Sequence, residues 1–130
     1  MTLFKPVILS FMLVLCGLNA PAQAQDIYTE KAQDYEIKLV PIAQELEHPW
    51  GMDFLPTGDV LVTERRGKLF IVRMPSGEKV EVSGVPEVAE IGQGGLLDVM
   101  VHPDFTRNQI IFLSYSGRSE RGYGTEVVRA

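Results

Sequence analysis

The sequence predicts an all-β fold of the propeller type, and three observations point there. Short β-branched runs alternate with turn residues, as in Val60-Leu61-Val62-Thr63 between Pro56-Thr57-Gly58-Asp59 and Glu64-Arg65-Arg66-Gly67. The pattern then begins a second time: Leu55-Pro56 recurs as His102-Pro103, an offset of 47 residues. Four strands in roughly 40 to 50 residues is the spacing of propeller blades. No apolar stretch after residue 24 follows helical spacing.

Along the chain, residues 1–24 read as an export signal. Lys5 is the single charged side chain ahead of an apolar block over 7–18, and Ala22-Gln23-Ala24 supplies the small-x-small peptidase pattern, with cleavage expected after Ala24. The block is shorter than the roughly 20 residues of a membrane span and lacks a basic stop-transfer flank, so no span is expected after cleavage. Export places the protein in the periplasm or outside the cell. Cys16 leaves with the signal, so the mature chain has no cysteine and neither disulfides nor thiolate chemistry. Loss of Lys5 leaves 11 basic against 17 acidic residues, a formal charge of −6. That balance argues against nucleic acid or an anionic membrane as partner.

Residues 25–35 read as a flexible amino-terminal lead-in, and alternation over 36–40 as an edge strand ending at Pro41. Strands at 50–55, 60–63, 68–73 and 79–82 make the first blade. Strands at 96–101 and 109–115, and a third at 125–129 after a Gly- and Arg-rich loop over 116–123, begin the second, with Gly67 recurring as Gly124. Residues 36–130 therefore form a partial propeller of about one and a half blades. A blade covers its faces only with neighbouring blades, so the chain is expected to be truncated and, alone, poorly folded or aggregation-prone.

In a propeller the innermost strand of each blade lines the central channel, and the loop leading into it lies where ligands bind. The second such loop is Gly92-Gln93-Gly94-Gly95. Glycines permit close backbone approach or positive φ, and Gln93 offers two donors and an acceptor, suited to hydroxyl-rich ligands. From the residues alone Gln93 either meets such a ligand or satisfies backbone groups of its own loop. At the matching position His48 has no carboxylate in register, and Trp50 is expected in the core. His102, Asp104 and Phe105 read as structural, with Asp104 closing an Asx turn. Asp98 is the one charge in a strand expected to be buried, so it needs partners, such as strand-edge donors of the preceding blade. Arg65-Arg66 reads as a solvated hairpin turn.

Two stretches, His48-Pro49-Trp50-Gly51-Met52-Asp53-Phe54-Leu55-Pro56 leading to Leu61-Val62-Thr63-Glu64-Arg65, and Gly92-Gln93-Gly94-Gly95-Leu96-Leu97-Asp98 leading to His102-Pro103-Asp104-Phe105, carry a resemblance. In this order and spacing they resemble the amino-terminal part of the glucose/sorbosone dehydrogenase family, soluble aldose dehydrogenases dependent on pyrroloquinoline quinone (PQQ). The resemblance implies a six-bladed propeller holding PQQ and calcium in its channel. It implies oxidation of an aldose sugar at C1 to the lactone, with electrons passed to an external acceptor. Gln93 matches the family's glutamine at the sugar site. The family's catalytic histidine, cofactor-holding cations and calcium ligands belong to later blades, beyond Ala130. No catalytic or metal-binding residue is therefore expected here, and neither His48 nor His102 takes the missing role. Two other readings remain: a non-enzymatic propeller that binds a glycan or protein partner, and a lactonase-type propeller hydrolase, which needs carboxylates and amides around the channel to hold a metal.

Overall fold

The computed structural model describes residues 28–31 and 34–130; the export signal expected over 1–24, with Cys16, lies outside them. Three antiparallel sheets follow one another along the chain. A hairpin of β1 (Tyr28–Lys31) and β2 (Glu36–Leu39) comes first, so the expected lead-in over 25–35 contains a strand. The first blade is a meander of β3 (Pro49–Phe54), β4 (Val60–Glu64), β5 (Lys68–Val72) and β6 (Lys79–Val82). The second sheet is β7 (Leu96–Val101), β8 (Ile111–Ser119) and β9 (Gly122–Arg129). No helix among the described residues is long and apolar enough to cross a membrane.

The repeat is written into the hydrogen bonding. β3 carries a bulge between Pro49 and Met52 against β4, and β7 carries one between Leu96 and Val99 against β8, the same offset of 47. A bulge breaks the ladder and leaves a backbone donor unpaired. A hydroxyl from the next strand meets that donor in both sheets. Gly51 N–H donates to Thr63 Oγ1 at 2.9 Å, and Asp98 N–H donates to Ser114 Oγ at 3.0 Å.

Two expectations need correction. Residues 116–123 are not an open loop: β8 and β9 remain paired from Phe112 opposite Arg129 out to Ser119 opposite Gly122. The turn is Glu120-Arg121, and Gly122 at φ 114° corresponds to Gly67 at φ 98°, displacing Gly124 from that role. The helix-free reading also fails at one place, where α1 (Phe105–Asn108) makes a single turn. Asp104 at its start makes no capping bond and no Asx turn; its carboxylate pairs with Arg107 at 2.8 Å. His102 takes the turn-closing part instead, its Nδ1 accepting from Asp104 N–H at 2.9 Å.

The blades meet across a core of Leu61, Leu69, Leu96, Val99 and Leu113. The opposite face of the first blade, Val60, Val62 and Val72, is covered by Ile42, Ala43 and Leu46 from the segment before β3. Along the inner edge Gly51 lets β3 approach β7: a Cβ there would lie 2.9 Å from Asp98 Cα. Two side chains of the first blade bridge to β7. Asp53 Oδ2 accepts from Val101 N–H at 2.7 Å, and Thr63 Oγ1 donates to Leu97 O. The strand-edge bond expected of Asp98 is made instead by Asp53, and in the opposite sense, from the first blade to a donor of the second. Asp98, expected buried, is exposed and its Oδ1 accepts from Val99 N–H, because the bulge turns it out of the core.

Candidate functional site

The loop leading into β7 is tied to both sheets. Leu96 N–H donates to Arg65 O at 2.8 Å, Ser116 N–H to Gly95 O at 2.8 Å, and Ala89 N–H to Ser116 O at 2.7 Å. Such contacts need backbone against backbone. Gly95 is buried at φ 143°, and a Cβ there would collide with the Arg65 carbonyl. A Cβ on Gly94 would lie 2.8 Å from Ser116 Oγ and 2.9 Å from Ala89 O. Glycine at these two positions is a steric requirement of the crossing.

Arg65 clamps the loop from below. Its Nη1 donates to Gly92 O at 3.3 Å and its Nη2 pairs with Glu90 at 3.0 Å. Arg66 extends the network, 3.6 Å from Glu90 and 3.2 Å from Glu47. The sequence reading of both arginines as solvated holds for Arg66 and fails for Arg65, whose side chain is only 23% exposed. Its Nε is buried without a partner among the described residues. A usable signal was present: Glu90 lies just ahead of the glycine loop with the charge opposite to the paired arginines, but no spacing rule links residues 25 apart.

Gln93 therefore sits on a fixed platform with its side chain exposed. Two neighbouring backbone groups are engaged: Gly94 N–H donates to Ile91 O at 2.8 Å, and Gly92 O is taken by Arg65. The carboxamide makes no hydrogen bond to the described residues, so its donors and acceptor face outward. His48 is exposed at φ 51° and accepts Arg65 N–H through its carbonyl at 3.1 Å; its ring is paired with no carboxylate among the described residues. Trp50, expected in the core, is 49% exposed.

Two titrating groups outside the loop are held by their partners. The backbone N–H of Met74, followed by the Arg73 guanidinium at 2.7 Å, draws the Asp59 carboxyl below its usual value. The Tyr115 phenol donates to Glu126 at 2.8 Å, and that bond raises it above its usual value.

Among the described residues no three His, Cys, Asp or Glu side chains converge to hold a metal ion. The arginines nearest the loop are committed to Glu90, Glu47 and Gly92. These residues build neither a calcium site nor a cationic cradle for an anionic quinone.

The arrangement defines a class first: a four-stranded antiparallel unit followed by a three-stranded one with the same bulged inner strand, the design of consecutive blades in a β-propeller. The family model for Glucose / Sorbosone dehydrogenase matches residues 46–130, and the chain belongs to that family. It is 43% identical over 87 residues to the aldose sugar dehydrogenase YliI of Escherichia coli, covering 66% of this chain and 24% of that protein. It is 29% identical over 112 residues to quinoprotein glucose dehydrogenase B of Acinetobacter calcoaceticus, covering 84% and 23%. The PQQ-bound form of an aldose sugar dehydrogenase from Streptomyces coelicolor superposes with a TM-score of 0.63 at 28% identity, over 85% of this chain and 29% of that one. The chain thus spans about a quarter of the length of the relatives it matches, and its fold is all-β and part of a β-propeller.

Proposed function

We propose that this chain supplies one wall of the sugar site of a PQQ-dependent aldose dehydrogenase, with Gln93 holding a hydroxyl of the substrate. The observation that carries this reading is the exposed Gln93 carboxamide, unpartnered among the described residues, on a loop fixed by Leu96 N–H on Arg65 O, Ser116 N–H on Gly95 O and Arg65 on Gly92 O. In the reaction proposed, the C1 hydroxyl of an aldose is oxidised to the lactone, and two electrons and two protons leave for an external acceptor. The quinone, when bound, supplies the two-electron chemistry; its ligands, those of calcium and the catalytic base lie in other blades. The chain alone is therefore inactive. Residues of this chain bind and orient the sugar, and a fixed loop loses little freedom on binding. Cleavage after Ala24 and export to the periplasm complete the proposal; amino-terminal sequencing of the exported protein should begin at Gln25.

The test uses the complete protein encoded by the reading frame that contains this chain, loaded with PQQ and calcium. Dye reduction should depend on added aldose. Gln93→Ala should raise the sugar KM or lower kcat by roughly tenfold, the worth of one hydrogen bond in a site. Absence of sugar-dependent reduction would count against the dehydrogenase; unchanged kinetics in the variant would return Gln93 to a loop-filling role.

A further inference from the structure

The two ends of the glutamine loop are held by different means. At Gly94 and Gly95 the backbone is wedged against Ser116, Ala89 and Arg65, and a Cβ at either position would collide. At Gly92 a Cβ would meet nothing within 4 Å among the described residues, so no packing fixes that end. Among those residues one hydrogen bond reaches Gly92 or Gln93 from outside the loop, and Arg65 Nη1 donates it to Gly92 O at 3.3 Å. Gln93 thus stands between a packed end and an end held by a single side chain.

Arg65 is itself firmly placed. Its N–H donates to His48 O at 3.1 Å and its carbonyl accepts from Leu96 N–H at 2.8 Å, so its backbone is pinned to the entries of both inner strands. Its stem packs against Gly95, where an added Cβ would come 2.7 Å from Cγ. The guanidinium then meets the loop with two nitrogens, Nη2 at 3.0 Å from Glu90 and Nη1 on Gly92 O. A planar fork delivers two such bonds in fixed relation, which a lysine ammonium does not. We infer that Arg65, oriented by Glu90, is a positioning residue for sugar recognition: it touches no substrate, and sets the place and the freedom of the Gln93 carboxamide by fixing the peptide before it. This rests on the proposed sugar site at Gln93. Without the bond to Gly92 the loop keeps its packed end, and the tip gains backbone freedom that a bound sugar has to remove. The loss falls on substrate affinity, so KM rises while kcat holds.

The test uses the complete protein loaded with PQQ and calcium, and Arg65→Lys, which keeps the charge beside Glu90 and removes the fork. The KM for glucose should rise roughly three- to tenfold, the worth of one hydrogen bond, with kcat unchanged. In a Gln93→Ala background the same substitution should change KM by less than about twofold, since residues that act through one contact are not additive. A second measurement needs no turnover: amide hydrogen exchange of the complete protein without PQQ. Gly94 N–H should exchange faster in Arg65→Lys than in the parent, and Leu96 N–H, bonded to the Arg65 carbonyl, should stay protected. An equal rise in KM in both backgrounds, unchanged exchange at Gly94, or loss of protection at Leu96 as well would overturn the positioning role. Faster exchange at Gly94 in a protein whose kinetics ignore Gln93→Ala would keep Arg65 as the anchor of the loop and sink the sugar site alone.

Discussion

β4 and β8 are counterparts in consecutive repeats, yet their surroundings differ. β4 is buried at all five positions, whereas β8 buries only Leu113 and Gly117 among nine. The first blade has Ile42, Ala43 and Leu46 on one face and the second sheet on the other. The second sheet is covered on one face only, and Val127 on β9 is 70% exposed. Identical hydrogen-bonding patterns therefore give unequal burial, because in a propeller the neighbour, and not the sheet, removes apolar surface from water. Trp50, Met52 and Phe54 make the same point on the free face of β3. The largest effect concerns the chain as a whole. The 130-residue chain expressed alone should lack a sharp, reversible thermal transition, and a cooperative monomer would break the comparison.

Core truncations come next in size. Leu96 is 0% exposed between the blades, so Leu96→Ala in the complete protein should cost about 2–5 kcal/mol in denaturant unfolding. Val127→Ala should stay within about 0.5 kcal/mol if the outer face of the second sheet is free. A cost above about 1 kcal/mol there would show that another blade covers it, and would place the asymmetry in this chain alone.

The difference between the sheets also explains what the sequence could reveal. Turn chemistry and β-branched runs located every strand of the first blade within a residue or two, since each strand there alternates with Gly, Pro or Asp. The second sheet was harder: Ser116-Gly117-Arg118-Ser119 has no apolar alternation, so a paired hairpin read as a loop. Its pairing is held by backbone and by Tyr115 on Glu126, which passes over Gly117, and neither leaves a hydrophobic pattern. The apolar run misled at Asp98: a strand read as buried along its length exposes this residue, because a one-residue bulge turns it out of the core and composition cannot register the change. At the site, Gln93 among glycines was legible as an unusual polar tip. Arg65 was not, because its partners Glu90 and Gly92 come near only once the two blades dock.

A pair of equivalent hydroxyls sharpens the comparison further. Thr63 and Ser114 both accept the amide left over at a bulge, but Thr63 also donates to Leu97 O of the next blade. Thr63→Val preserves shape while leaving a buried donor and an acceptor unpaired, and should cost about 1–3 kcal/mol. Ser114→Ala, at a more accessible bulge, should cost about 1 kcal/mol or less. Equal costs would mean that the bridge between blades contributes nothing beyond the bulge bond.

The smallest effect is confined to acid and separates the two outer turns. In the first blade Asp59 holds the β3–β4 turn, accepting from Met74 N–H at 3.0 Å, Arg73 at 2.7 Å and Thr57 Oγ1 at 3.1 Å. In the second, His102 Nδ1 and Asn108 Nδ2 lie 2.9 Å apart, and Asn108 Oδ1 accepts from Ile110 N–H at 3.0 Å. Met74 N–H and Arg73 lower the Asp59 carboxyl from its ordinary 3.8. A carboxyl that binds protons less readily in the folded state stabilises that state above the unfolded value, and loses its contribution as pH falls through the folded one. Stability should therefore drop below about pH 3.8, and Asp59→Asn should flatten that part of the stability profile while leaving the slope at neutral pH unchanged. An unaltered acid limb in the variant would assign the acid sensitivity to groups elsewhere, and would remove the distinction between a turn held by a carboxylate in one blade and one held by His102 and Asn108 in the next.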